Sequence, residues 1–138
     1  MYGAIALLAL VGTWGNNLGY MHLGLVGANL RFWQDTLANP ASKSITVDLF
    51  FLGLAVFLWM VLEARRLKMR GVWLYLIVGM LVAISVSVPV FLINRERALA
   101  RLAPASHAGE LNKADALGFI GVIILICAYT ALTFMSPA

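Results

Sequence analysis

Charged residues are scarce in this chain of 138 residues, where ten basic and six acidic side chains make up only 12% of the sequence. A soluble domain usually carries about a quarter. The stretches 71–94 and 116–138 hold no charge, and 44–62 holds a single aspartate. A membrane span needs about 20 mostly apolar residues, and each of these stretches is long enough. This scarcity argues against a soluble fold and predicts that a lipid bilayer surrounds the chain.

Cysteine is nearly absent as well, because Cys127 is the sole cysteine, and an intrachain disulfide is therefore excluded. The sequence also lacks the zinc-protease HExxH pattern, paired CxxC motifs, a phosphate-binding loop and a nucleophile elbow. The basic residues lie in short loops between apolar stretches, which does not suit a nucleic-acid partner. We therefore expect no nucleic-acid binding and, more weakly, no catalysis.

The apolar stretches predict an all-α integral membrane protein, a bundle of four transmembrane helices that forms one domain over residues 1–138. Lipid offers no hydrogen-bond partners, so each spanning segment must pair its own backbone as a helix. The opening MYGAIALLALVG has no lysine or arginine before its apolar core, so we interpret it as a span rather than a signal peptide. The expected spans are about 3–23, 45–62, 72–93 and 116–134.

The loop 63–71 predicts the orientation of the bundle. It carries four basic side chains, which favour the cytoplasmic side and can also attract anionic lipid headgroups: Arg65, Arg66, Lys68 and Arg70. With four spans both termini are then cytoplasmic, in a bacterial inner or intracytoplasmic membrane. The basic residues of the loop 94–115 fit this rule poorly, because that loop is expected on the other side.

Several local signals predict where the helices begin, bend and end. Ser42 or Ser44 is expected to cap the second span, and Pro89 is expected to bend the third. The segment 95–103 reads either as a short surface helix or as an extension of that span. Residues 24–44 are expected to form a connection.

Small and amide side chains in the first span predict a helix contact face. Gly15 and Gly19 have the small-xxx-small spacing that allows two helices to approach closely, and an asparagine in lipid seeks a partner. The expected contact residues are Gly12, Gly15, Asn16 and Gly19.

Polar residues near the non-cytoplasmic ends of the spans suggest a ligand site. His22, Asp48 and Asn94 are expected at similar depth, with Arg31 as a counter-charge. Ionisable residues within spans are often functional. The alternative for Asp48 is structural, since a carboxylate near a helix N-terminus is favoured by the helix dipole. For His22 the alternative is an interfacial side chain, and a pigment or haem contact there has no motif behind it.

Several short motifs resemble a known family. Three groups of residues occur in the order that is typical of the bacterial domain-of-unknown-function family 2834. They are Asn39, Pro40, Ser42, Asp48 and Leu49; then Glu63, Arg65, Arg66, Leu67 and Met69; then Trp73, Pro89, Phe91 and Leu92. The resemblance covers about 18–97. It implies a three-helix membrane unit of unassigned function, with Asn39, Pro40, Asp48, Glu63, Arg65, Arg66 and Pro89 as signature positions. The fourth span is an addition to that pattern and suggests an extra docking surface.

Three functions remain open at this point. The first is a small non-catalytic accessory or assembly subunit of a larger membrane complex, such as an electron-transfer or light-harvesting one. The second is an enzyme or carrier for a lipid or isoprenoid-like substrate that uses Asp48 and His22. The third is an oligomeric ion or proton conductor. Membrane lipids and other membrane subunits are the expected partners.

Overall fold

A computed structural model describes residues 1–102 and 113–135, which are almost entirely helical. No strand occurs in these ranges, and the all-α prediction is confirmed. The helices are α1 (Tyr2–Asn17), a 3-10 helix (Leu18–Leu23), α2 (Gly24–Asp35), α3 (Pro40–Arg66), α4 (Val72–Leu81), α5 (Ile84–Leu102) and α6 (Lys113–Met135).

The chain divides into two compact units, Met1–Leu102 and Ala103–Ala138. The second unit is described here by α6 alone, a helix of 23 residues. Its large apolar side chains from Leu117 to Leu125 are exposed. A helix that is apolar on all sides suits a membrane or a protein interior, and its bounds enclose the predicted 116–134.

Helix α3 is the longest element and begins earlier than the sequence suggests. The Asn39 side chain accepts a hydrogen bond of 2.9 Å from the Ser42 amide, and Pro40 is the first helical residue. A proline at this position has a suitable fixed φ and needs no hydrogen-bond partner. The cap expected from Ser42 or Ser44 is therefore wrong, because the Asn39-Pro40 turn is itself the helix start.

The same helix is long enough to cross a bilayer. Its 27 residues give a length of about 40 Å, against a hydrocarbon thickness of about 30 Å. Among the described residues it is the one helix that passes tests of both length and apolar composition, and most of its side chains are exposed. Membrane character is supported to that extent.

Helices α4 and α5 form a hairpin in place of the third span. The Ser87 hydroxyl donates to the Tyr75 carbonyl, and a Cβ added at Gly79 would lie 3.4 Å from the Ser87 Cβ. Residues 12 apart in one helix would be about 18 Å apart, so the chain reverses between them. The single helix predicted over 72–93 is wrong.

The reversal falls at Val82-Ala83, and α5 continues through Pro89. The bend expected at Pro89 is therefore not where the chain turns. Residues 82–88 alternate β-branched side chains with alanine and serine, and both β-branched residues and serine form helices less readily than leucine or alanine. An apolar run of this composition can form one span or two short helices, and periodicity does not distinguish them.

The hairpin packs against the second half of α3. A Cβ at Gly53, the central residue of α3, would lie 3.2 Å from the Ile84 Cδ1 at the hairpin tip. Further along, Met60 and Ala64 of α3 form a buried core with Phe91 of α5. The hairpin therefore reaches only to the middle of α3.

The first predicted span, 3–23, is a continuous α-helix only as far as Asn17. The chain then becomes a 3-10 helix, and Gly24 turns it with a φ of +73°. Asparagine and glycine are poor helix formers, which accounts for the change at this point. Helix α1 packs on α5, and because Trp14 lies beside Val82 at the tip, the two helices run antiparallel.

The expected connection over 24–44 is wrong in its first part, which forms α2. This helix has apolar side chains on one side and polar ones on the other, and Trp33 stacks on Phe50 of α3 at a centroid distance of 5.8 Å. The signal was present in the sequence, since Leu25, Val26 and Leu30 fall at helical spacing.

Candidate functional site

A buried carboxylate links α3 to α5. Glu63 is 8% exposed. Arg66 donates from Nε and Nη2 to its two oxygens at 2.6 Å each, and Arg95 of α5 donates from Nε to Oε1 at 2.7 Å. A buried charge is tolerated only when it is paired and hydrogen-bonded. The two bonds from Arg66 lie within α3, and the bond from Arg95 holds this end of the hairpin to α3.

Arg95 has further partners. Its Nη1 donates to Glu96 Oε1 at 2.8 Å, and its guanidinium carbon lies 6.0 Å from the centre of the Trp59 ring. The Trp59 ring in turn meets Phe91 edge-on at 5.7 Å. A cation over an indole face is attracted by the ring's charge distribution. Arg95 is thus fixed on several sides and is not free to bind a ligand.

A second set of hydrogen bonds holds the hairpin together. The Asn94 amide donates to the Tyr75 hydroxyl at 2.8 Å, and Arg97 donates to the Asn94 side-chain oxygen at 3.3 Å. Tyr75 also meets Phe91 edge-on at 5.5 Å. The Asn94–Tyr75 bond and the ring contact join α4 to α5 at the end that also carries Glu63, and the Arg97–Asn94 bond lies within α5.

The hairpin tip has a partner from α1. The Trp14 Nε1 donates to the Val82 carbonyl at 3.2 Å. The last carbonyls of a helix lack partners within it, and an unpaired backbone group in an apolar layer costs several kcal/mol. Trp14 therefore makes the reversal at Val82 compatible with an apolar environment.

A shallow groove lies at the other end of α3, between the 3-10 helix, α2 and the start of α3. The Tyr20 hydroxyl donates to Asp35 Oδ2 at 2.9 Å, and Arg31 pairs with the same carboxylate at 3.1 Å. The groove has a volume of about 310 Å³ and is lined by Tyr20, Phe32, Asp35, Thr36, Ser42, Ile45 and Thr46. The Tyr20, Asp35 and Thr36 side chains in this lining already have partners within the chain.

The four predicted ligand residues do not form one site. Asn94 lies at the Glu63 end of the hairpin, and Asp48 precedes Glu63 by 15 residues of one helix, or about 22 Å. The expected meeting of Asn94 with Asp48 is wrong, because it required residues 72–93 to cross the membrane. Arg31 is paired with Asp35, and the exposed His22 has its Nδ1 2.8 Å from the Gly19 carbonyl.

Asp48 is exposed and has no hydrogen bond or ion pair within the part of the chain that the structure describes. Phe50 follows it by two residues, or about 200° around the helix. Phe50 contacts Trp33, and Gly53 and Phe57 contact the hairpin. Asp48 therefore lies on the face of α3 that these elements leave uncovered.

The basic residues of the predicted loop lie at the C-terminal end of α3, and the hairpin brings further basic residues to the same end. Arg65, Lys68 and Arg70 are exposed, and Arg66 holds Glu63. Because α5 returns to this end, its three arginines lie there as well. Seven of the ten basic residues are gathered here: Arg65, Arg66, Lys68, Arg70, Arg95, Arg97 and Arg101.

The predicted glycine contact face is not supported at Gly19, where an added Cβ would meet nothing within 4 Å. Gly12 and Gly15 are half-buried, and Asn16 donates to the Gly12 carbonyl at 2.8 Å. The close helix contacts lie instead at Gly53 and at Gly79, where a Cβ would approach the Phe57 ring to 2.8 Å.

A family model with the description "Protein of unknown function DUF2834" matches residues 1–97. The chain belongs to this family. The match confirms the resemblance and extends it to the first residue, so α1 is part of the family unit. No curated protein and no solved structure matches the chain.

Most of the positions that the resemblance implies as signature positions have a structural role. Asn39 and Pro40 start α3, and Glu63 forms ion pairs with Arg66 and with Arg95. Pro89 is buried in α5. Asp48 and Arg65 are the exceptions, since both are exposed and no side-chain hydrogen bond or ion pair of the described residues accounts for either.

Sequence reasoning missed Trp14, Tyr75 and Arg95. The partners of Trp14 and Arg95 depend on the chain reversal at 82–83, which no short pattern signals. Tyr75 reads as an interfacial aromatic in a single span, although its ring and hydroxyl join the two arms of the hairpin. Among residues 1–102 and 113–135, no three or more histidine, cysteine or acidic side chains are grouped to hold a metal ion.

Proposed function

We propose that this protein is a small non-catalytic subunit of a larger bacterial membrane complex, in the inner or an intracytoplasmic membrane. The observation that carries the proposal is the uncovered Asp48. It is a carboxylate without a partner in the described part of the chain, on a long apolar helix. Ionisable residues in such segments are rare and mark functional contacts. A spanning helix of a larger subunit would cover this face and supply a basic or hydrogen-bonding side chain.

The remaining polar interior supports the same proposal. Every buried side-chain nitrogen and oxygen of the described residues has a hydrogen-bond partner. The contacts of Glu63 and Ser87 join α3, α4 and α5, which supports a structural role for both side chains. The exposed apolar side chains of α3, such as Phe51, Leu52 and Leu62, would face lipid or the partner helix.

The membrane arrangement that we propose has α3 as a full crossing and α1 with the 3-10 helix as another. Helix α4 has ten residues, or about 15 Å, which is half of the hydrocarbon layer. The hairpin is then re-entrant and returns to the basic, cytoplasmic end. Re-entrant segments are tolerated where protein covers them. A cytoplasmic C-terminus was expected because residues 72–93 were counted as a crossing. If they form a re-entrant hairpin, that expectation no longer follows.

The test is extraction of the full chain from its native membrane in a mild detergent, followed by native mass and identification of co-purifying proteins. We expect a multi-protein particle for the wild type and its loss in Asp48→Asn. The control is Glu96→Gln, which makes the same carboxylate-to-amide change at an exposed position that pairs only with Arg95 among the described residues. A wild-type protein that runs as a monomer, or an Asp48→Asn particle of unchanged mass, contradicts the proposal. An absorption spectrum of the same particle tests the predicted pigment or haem contact at His22.

A further inference from the structure

The outer face of the hairpin carries a second groove, separate from the Asp48 face of α3. It runs between α4 and α5 and has a volume of about 260 Å³. Leu74, Val78 and Val90 form its apolar walls. The polar groups of Tyr75 and Asn94 lie at the end near Arg97, whereas the Ser87 hydroxyl, nearer the tip, donates to the Tyr75 carbonyl. The lining residues are Leu74, Tyr75, Val78, Ser87, Val90 and Asn94.

The polar end of the groove leads to unpaired positive charge. Val90, Asn94, Arg97 and Arg101 follow one another along one face of α5 at spacings of four, three and four residues. Arg97 and Arg101 are exposed, and no carboxylate pairs with either in the part of the chain that is described. Arg97 has only the neutral Asn94 oxygen, at 3.3 Å.

Arg97 and Arg101 differ from the other arginines of the same region because they lie at the end of an apolar groove. Arg66 pairs with Glu63, and Arg95 pairs with both Glu63 and Glu96. The groove is smaller than the pockets that enclose whole small molecules, so it suits a segment of a chain. Clusters of basic residues beside a membrane attract anionic headgroups.

We propose that the α4–α5 groove binds one anionic phospholipid, with part of an acyl chain along Val78 and Val90 and the phosphate at Arg97 and Arg101. The proposal rests on the membrane location proposed above and on the hairpin returning to the cytoplasmic end. The occupant is a bilayer lipid rather than free phosphate, because the apolar walls require a hydrocarbon chain. The bound lipid would complete the hairpin surface where no helix of the first unit covers it.

The test is native mass spectrometry of the full chain in detergent, with phosphatidylglycerol and phosphatidylcholine added in equal amounts. We expect the wild type to retain one phosphatidylglycerol in preference to phosphatidylcholine. Arg97→Gln with Arg101→Gln should weaken that preference by roughly fivefold for each arginine. Arg65→Gln with Lys68→Gln removes the same charge at the same end but away from the groove, and should retain the lipid.

A second pair of variants tests the acyl position. Val90→Trp fills the groove and should release the lipid, whereas Ile77→Trp, at an exposed position of α4 that does not line the groove, should not. If the Arg97/Arg101 variant and the Arg65/Lys68 variant lose lipid preference equally, the lipid is held by general surface attraction, and the proposed site is wrong. A wild type without lipid preference, or a Val90→Trp variant that still binds, overturns the proposal. Retention of the Asp48-dependent particle in that case would leave the proposed function standing.

Discussion

At the scale of single residues, Glu63 shows how charge is accommodated beside an apolar core. The pair with Arg66 lies within one helix, three residues apart, and could be expected from sequence. The pair with Arg95 joins positions 32 residues apart and depends on the hairpin. Only the pair with Arg95 contributes to tertiary structure. The sequence therefore indicates the pair of Glu63 within α3, but it does not indicate the pair that joins α3 to α5.

Glu63→Gln should destabilise the first unit by about 2 kcal/mol. Breaking a fully buried pair costs 3–5 kcal/mol, and the effect is reduced here because the Arg95 side chain is 24% exposed. The measurement is the midpoint of thermal unfolding in detergent micelles. The control is Arg31→Gln, which breaks a more exposed pair with Asp35 and should cost less than about 1 kcal/mol. Equal shifts for the two variants would show that Glu63 contributes no more than a surface ion pair.

At the scale of elements, the hairpin depends on a close approach between α4 and α3. Gly79 is buried, and the ring of Phe57 occupies the space that a side chain would need. A glycine inside a helix is normally unfavourable by about 1 kcal/mol relative to alanine. Its presence in α4 is explained by packing, since interfaces between membrane helices favour small residues.

Gly79→Ala should therefore lower stability, although alanine is the better helix former. The added methyl group would lie 2.8 Å from the Phe57 Cζ, and overpacking of this kind costs about 1–3 kcal/mol. Thermal unfolding in micelles measures the effect, and Phe57→Leu in the same chain should recover part of it. Gly121→Ala is the control, because nothing lies within 4 Å of its added Cβ. A stabilised Gly79→Ala variant would argue against the close contact.

At the scale of the whole molecule, the hairpin changes which loops would share a side of the membrane in the arrangement that we propose. A spanning third helix places the end of α5 opposite the loop 63–71, whereas the hairpin brings the two together through Arg95 and Glu63. The positive-inside rule concerns short loops. The arginines after residue 94, which contradict that rule in the four-span arrangement, agree with it when the hairpin returns.

Cysteine labelling in sealed vesicles of known orientation tests this arrangement. In a Cys127→Ser background, Lys68→Cys and Ala100→Cys should react with an impermeant maleimide from the same side. Ala38→Cys, two residues before α3, should react from the other side, because nearly the whole length of α3, about 40 Å, separates it from Arg65. Labelling of Ala100→Cys together with Ala38→Cys would show that 72–93 crosses the membrane after all.

The amino-acid sequence was sufficient for the family, the all-α class and a long apolar helix over 45–62. These properties follow from composition and local spacing, because a charge-poor apolar run needs internal backbone pairing wherever it lies in lipid. The start of α3 has local signals in Asn39 and Pro40, although the expected cap was placed at Ser42 or Ser44 and only the structure shows that the Asn39 side chain caps the helix.

The tertiary structure decided the path of the chain after Gly71. The 22 residues of 72–93 can form backbone hydrogen bonds either as one span or as two short helices. Long-range contacts therefore determine which of the two forms. Trp14 pairs with the carbonyl at the tip, Gly79 admits Phe57, and Glu63 holds Arg95. Each of these contacts joins distant parts of the sequence, and together they separate Asn94 from Asp48 and leave Asp48 uncovered on α3.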